Sequence, residues 1–393
     1  MTENRLADRM SAVEQSPIRQ MFDLAKRVEA AGNEDLVHLE IGEPDFDTPS
    51  HIIQAAFDAA SAGETHYTSN AGLPALREAI AESTDTAHGF TVDPTEEVLV
   101  TTGAMEALAL AMLVTVNPGD EVILPSPSWP NYRTQVILAG ATPVEVPLDA
   151  DDGFSLDPEQ VIESMTDRTA AVVLATPSNP TGRVADPDAV RTIVDAAVDR
   201  GAYVIADEVY SRLLYGKYQT GIAGYVDSPD RVLTVESCSK TFAMTGWRVG
   251  WLLGPEDAIS AATVLRESTT ACTSSISQHA AIAALNGPMD EVDAMRSAFE
   301  ERRDYVVDRI ADIDGISCPS PEGAFYVFID VTEFGDSSLA MAKELLEDYD
   351  VVTTPGAGFG EAGEGQLRLS FANNLSRIEE GLDRIKAFAV DHQ

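Results

Sequence analysis

The sequence predicts an α/β protein, with a large three-layer domain on a mainly parallel sheet and a smaller α+β domain beside it. Three observations lead there. At 393 residues the chain is longer than one hydrophobic core usually serves, and about two domains are expected. Its middle alternates short apolar runs with amphipathic stretches of helical length, the pattern of strands covered by helices on both faces. Its last third opens instead on one long helical stretch and then mixes helices with strands.

In chain order, residues before about Thr48 hold one helical stretch and one strand. Strands follow at Val98–Thr101, Glu121–Leu124, Pro143–Val146, Ala171–Ala175, Tyr203–Ala206, Val232–Val235 and Val249–Leu253. Several are continuously apolar, as strands buried on both faces must be. Helices are expected between them, including Met105–Val116 and Asp186–Arg200, the latter stopped by Gly201. The smaller domain should contain a helix at Glu291–Ile313, a strand at Phe325–Ile329, a helix at Leu339–Tyr349, a strand at Leu367–Phe371 and a last helix. The expected division is 48–286 for the large domain, with 1–47 and 287–393 together forming the small one.

Hydrophobic residues make up 44% of the chain, enough for both cores, so disorder is excluded for most of it. Asp plus Glu number 65 against 26 Lys plus Arg, a formal charge of −39. Such an excess repels phosphates and anionic lipid, which argues against nucleic acid and membrane partners. An acidic docking patch and a uniformly acidic surface suited to high salt both accommodate this charge. The acids are scattered along the whole chain and lysines are scarce, which favours the second, halophilic reading. Cys238, Cys272 and Cys318 are far apart and odd in number, against a disulfide framework and for a reducing cytoplasm. The six histidines show no metal-binding spacing, and no metal is expected. The first twenty residues are polar and charged, and the longest apolar run, Ala107–Val114, is far below the ~20 residues that span a bilayer.

Only five lysines are present. Lys26, Lys217, Lys343 and Lys386 sit in ordinary surface company. Lys240 lies in Ser237-Cys238-Ser239-Lys240-Thr241-Phe242, directly after an apolar strand, at the end where α/β sheets place their sites. Arg248 follows eight residues on. A lysine at a strand end, with hydroxyl residues and an arginine near it, suits amine–carbonyl chemistry beside a phosphate.

The segment 237–250, Ser-Cys-Ser-Lys-Thr-Phe-Ala-Met-Thr-Gly-Trp-Arg-Val-Gly, resembles the lysine segment of class I pyridoxal-phosphate aminotransferases. Ile41-Gly42-Glu43-Pro44-Asp45-Phe46, Pro177-Ser178-Asn179-Pro180, Asp207-Glu208-Val209-Tyr210 and Leu367-Arg368-Leu369-Ser370 match further blocks of that family, in its order. The resemblance implies fold type I, pyridoxal 5′-phosphate as cofactor, and amino-group transfer from an L-amino acid to a 2-oxo acid such as 2-oxoglutarate. It implies that Lys240 binds the cofactor and moves the proton, that Asp207 meets the ring nitrogen, and that Tyr210 and Asn179 share the phenolic oxygen. Trp129 corresponds to the aromatic residue stacked on the ring. Gly103, Ala104 and Met105 open a helix whose free amides suit a phosphate, with Ser237 and Arg248 completing the cradle. Tyr67 matches a tyrosine that reaches the phosphate of the neighbouring subunit, which implies a homodimer. Arg368, Asn179 and Gly42 correspond to the substrate carboxylate site.

One departure is informative. In the aspartate-specific prokaryotic branch, the helix opening resembles Gly-Gly-Lys, whereas this chain has Gly103-Ala104-Met105. Methionine offers no charge to a second carboxylate, so the expected donor is neutral or broad. A C–S β-lyase of the same fold could use the same residues. A cofactor-binding regulator lacks support, since the whole chain is acidic.

The charge generates a first prediction. Repulsion among scattered carboxylates reaches ~30 Å at 0.01 M salt and is screened to ~3 Å at 1 M. The melting temperature should therefore be higher in molar potassium chloride than at ~0.05 M, across a series carried to ~3 M. A flat series would defeat the halophilic reading.

Overall fold

The computed structural model describes residues 7–13, 16–33 and 35–393. Within these, the strands are β1 (Val37–His38), β2 (Val98–Thr101), β3 (Glu121–Ser126), β4 (Thr142–Pro147), β5 (Thr169–Ala175), β6 (Tyr203–Asp207), β7 (Val232–Ser237), β8 (Gly250–Leu253), β9 (Tyr326–Asp330), β10 (Val351–Val352), β11 (Thr354–Pro355) and β12 (Gln366–Ser370). Seven of them make the central sheet, in the order β2–β8–β7–β6–β5–β3–β4. β8 runs antiparallel to both neighbours, and the other pairings are parallel. Six strands thus end at one edge of the sheet.

The pleat sorts side chains into two layers. Ala171 and Val173 on β5 face one layer with Leu108, Ala111 and Met112 of the helix Ala104–Thr115. Val172 and Leu174 face the other, with Val190, Ile193 and Val194 of the helix Pro187–Asp199. Continuous apolar runs are what such a two-sided layer requires. The second helix starts where the Asp186 side chain accepts the amides of Asp188 and Ala189, with proline in its first turn. It stops at Arg200, before Gly201 in the left-handed region at φ 74°.

Several strands run past their expected ends. β6 includes Asp207, and β7 continues through Glu236 and Ser237, because these polar side chains find partners inside the protein. β8 begins one residue later than expected, since Arg248 sits at φ 54° and turns the chain there.

The C-terminal third builds its own layers. β11, β12 and β9 form an antiparallel sheet, packed with the helices Asp290–Ala311, Ser338–Tyr349 and Leu375–Asp391. The N-terminal segment returns to this region: β1 pairs with β10, and Met21 and Val37 join Phe299, Leu345 and Phe388 in one core. Residues 1–6, 14–15 and 34 of the expected small domain lie outside the described residues.

Phe299 is fully buried at the centre of that core, edge-on to Phe46 at 5.5 Å and close to Phe325 and Phe371. Phe299→Ala should destabilise the protein by ~3–5 kcal/mol, measured by urea unfolding. A loss under ~1 kcal/mol would mean that this ring is not the centre of the core.

Candidate functional site

A cavity of about 350 Å³ opens at the edge where the parallel strands end. β6 delivers Asp207, and the turn after it delivers Tyr210. β7 delivers Ser237, and the single helical turn beyond it carries Lys240. β3 leads to Trp129, β5 to Asn179, and the helix after β2 presents Ala104 and Met105. From the C-terminal third comes Arg368 on β12, and from the N-terminal segment comes Gly42.

Asp207 is 4% exposed, yet accepted donors surround it: the Tyr132 hydroxyl at 2.6 Å and the Val209 amide at 3.3 Å. Burial pushes its carboxyl up to about 6, against these two hydrogen bonds and the Lys240 charge. Lys240 donates to the Gly42 carbonyl at 2.6 Å. Burial pushes its amine down to about 8; Arg368 and Arg248 push the same way, and Glu43 and Asp207 resist. The desolvated pair is thus brought toward neutrality from both sides.

Arg368 is buried and anchored by its terminal nitrogens, which donate to Asn179 Oδ1 at 3.1 Å and to the Glu40 carbonyl at 2.6 Å. The Tyr326 ring lies 4.4 Å from its guanidinium carbon. Its Nε is buried and has no hydrogen-bond partner. Gly42 keeps the approach open: a Cβ there would stand 2.9 Å from the Tyr326 hydroxyl.

Gly103 does not line the cavity. It caps the helix Ala104–Thr115 at φ 79°, and a Cβ on it would fall 2.6 Å from the Arg248 guanidinium. The glycine therefore lets an arginine lie against a helix start, joining a cation to free amides. This cradle, beside Ser237 and a lysine able to lose its proton, fits a phosphate-bearing aldehyde such as pyridoxal phosphate. Tyr67 is 92% exposed and does not line the cavity.

Two tyrosines of the site escaped sequence reading. Tyr132 lies one helical turn beyond Trp129, with the rings edge-to-face at 5.5 Å. Tyr326 shares a 3.0 Å hydrogen bond with the Tyr210 hydroxyl. The three-residue spacing of Trp129 and Tyr132, and a tyrosine inside the otherwise apolar strand at 325–329, were the available signals. The cations lining the cavity, among the described residues, are Lys240, Arg248 and Arg368. Met105 lies where a fourth could have stood, held by Asn131 and Gln135. The other four lysines are exposed.

The family model for aminotransferase class I and II matches residues 34–385. The chain is 38% identical to the aspartate aminotransferase of Geobacillus stearothermophilus, over 98% of both chains. It is 37% identical to aromatic-amino-acid aminotransferase 2 of Thermococcus litoralis, over 97% of both. Its fold superposes on the solved aspartate aminotransferase of Rhizobium meliloti with a TM-score of 0.92, at 36% identity and over 99% of each chain.

In cofactor-free protein, the Lys240 amine should titrate near pH 8, measured by pH-dependent reductive methylation and peptide mapping. Arg368→Leu removes a charge that opposes protonation, so the midpoint should move upward. A downward move would contradict this electrostatic account.

Proposed function

As a member of the class I and II aminotransferase family the chain is a pyridoxal-phosphate-dependent transaminase, and we propose that it moves the amino group of an L-amino acid, from a neutral or broad range of donors, to 2-oxoglutarate, by a ping-pong course, in a homodimer. The observation that carries this reading is a single cavity holding Lys240, the buried acid Asp207 and the buried fork of Arg368. Bound pyridoxal phosphate would supply a carbonyl for the amino group and a ring that withdraws electrons from the substrate Cα.

The chain's residues supply the rest. The Ala104 and Met105 amides, the Ser237 hydroxyl and Arg248 would hold the phosphate, with Gly103 making room. Asp207, fixed by Tyr132, would meet the ring nitrogen; Trp129 would cover one ring face; Tyr210 and Asn179 would meet the phenolic oxygen. Arg368 grips the substrate α-carboxylate, backed by Asn179 and by the close approach at Gly42. Lys240, its amine brought down to about 8, takes the proton from the substrate Cα and returns it. One carboxylate site serves both substrates, so the first product leaves before the acceptor enters.

Met105 and the absence of a fourth lining cation among the described residues support a neutral donor. The relatives named above are aminotransferases, which does not favour β-elimination. The exposed Tyr67 supports a dimer in which it serves the partner's phosphate. Large and small domains would divide at 48–286 against 1–47 with 287–393. The charge of −39 and three free cysteines suit a reducing cytoplasm rich in salt.

A donor screen with 2-oxoglutarate in molar potassium chloride tests the donor. Aliphatic or aromatic donors should exceed aspartate in kcat/KM, and an aspartate preference of ~100-fold would overturn that assignment. Lys240→Ala should fold but lose at least ~1000-fold in turnover, and Asp207→Asn should bind cofactor yet turn over slowly.

A further inference from the structure

Arg266 lies in the last turn of the helix Glu256–Glu267, and its side chain has no exposure at all. Ala258, Ile259 and Ala262 of the same helix are buried apolar residues, so an aliphatic side chain would have suited the layer. A buried guanidinium is costly unless it is paired with an acid and hydrogen-bonded. Here Nε donates to Glu106 Oε1 at 3.1 Å, one terminal nitrogen donates to the Asn70 carbonyl, and the other donates to Thr273 Oγ1 at 2.6 Å.

Those contacts lead in two directions. Glu106 lies in the first turn of the helix Ala104–Thr115 and also accepts the Thr102 amide and the Thr270 hydroxyl. The pair Arg266–Glu106 therefore fixes the chain on both sides of Gly103, where the amides of the cradle point. Asn70 belongs to the loop that carries Tyr67. Gln278, fully buried, donates to Thr68 Oγ1 at 2.9 Å and accepts the Leu73 amide at 2.7 Å, and the Ala71 carbonyl accepts the Val100 amide at 3.0 Å. The loop is thus pinned at Thr68, Asn70, Ala71 and Leu73, while Tyr67 just before it is 92% exposed. A loop whose backbone is already ordered presents its aromatic ring to a partner at a lower entropic cost than a loose one.

We propose that Arg266 is a positioning residue for two cofactor sites of the dimer: its own, through Glu106 and the helix start, and the partner's, through Asn70 and the Tyr67 loop. This rests on the homodimer reading above. Loss of Arg266 removes one hydrogen bond from each end of the link, at Glu106 and at Asn70, so one substitution loosens both and weakens cofactor binding at both sites of the assembly.

Mixed dimers separate the two effects. One subunit carries Lys240→Ala, leaving a single lysine-bearing site built from the other subunit's helix and the altered subunit's Tyr67. Arg266→Gln is then placed on either subunit in turn. The readouts are the dissociation constant of pyridoxal 5′-phosphate at the remaining site, from its visible absorbance, together with the melting temperature and the mass. Either placement should raise the dissociation constant about tenfold, equivalent to ~1.4 kcal/mol. A purely structural residue would lower the melting temperature and leave the dissociation constant unchanged. Weakening from one placement only, or from neither, overturns the proposal. If Arg266→Gln fails to fold, Arg266→Lys retains the charge but cannot reach three acceptors, and a smaller loss from both placements is expected. A monomeric mass for the unaltered chain would sink the dimer reading and this proposal with it, whereas a dimer weakened from one placement sinks this proposal alone.

Discussion

A carboxyl group at the end of a central strand keeps its charge out of water only when donors meet it there, and Asp207 is met by the Tyr132 hydroxyl and the Val209 amide. Much of the architecture serves that requirement. The parallel strands bring β6 to the same edge as β7, so Asp207 and Lys240 share a cavity. The helix that begins beside Trp129 supplies Tyr132 from above the sheet. Without these donors the acid would be neutral in so dry a place and could not balance a cation.

The strands and most helices were legible because two-sided burial leaves apolar runs, and because caps such as Asp186 mark helix starts. The direction of β8 was not, since an apolar run reads the same in either sense. Lys240, Asp207 and Arg368 stood out as charged residues at the ends of or inside apolar strands, where water is absent and charge needs a reason. Tyr132 and Tyr326 read as ordinary core aromatics, because only the folded chain brings their hydroxyls to Asp207 and Tyr210. Arg266 was hidden more deeply. An arginine in the last turn of an amphipathic helix suits the helix dipole at the surface, and its burial depends on Asn70, Glu106 and Thr273 arriving from elsewhere.

The charge of the whole and the charge of the cavity are opposite in sign. The chain is formally −39, yet the cavity of about 350 Å³ is lined by three cations, Lys240, Arg248 and Arg368, against two acids, Glu40 and Asp207. At low salt the outer carboxylates would repel an approaching 2-oxo acid over tens of ångströms; in molar salt the range shrinks to ~3 Å and only the local cations are felt. Salt that screened repulsion within the fold would in the same way let the entrance act on its own charge.

The pairing of β1 with β10 has a consequence for synthesis. Val37 cannot find Val351 until nearly the whole chain has left the ribosome, a delay of tens of seconds at roughly 5–20 residues per second. The central sheet uses strands between Val98 and Leu253, so it can assemble first, while the N-terminal segment waits with Met21, Val37 and Leu39 uncovered. Folding is therefore expected to be sequential, with Met21, Val37 and Leu39 among the last residues to be buried. Until then these apolar side chains are exposed to aggregation.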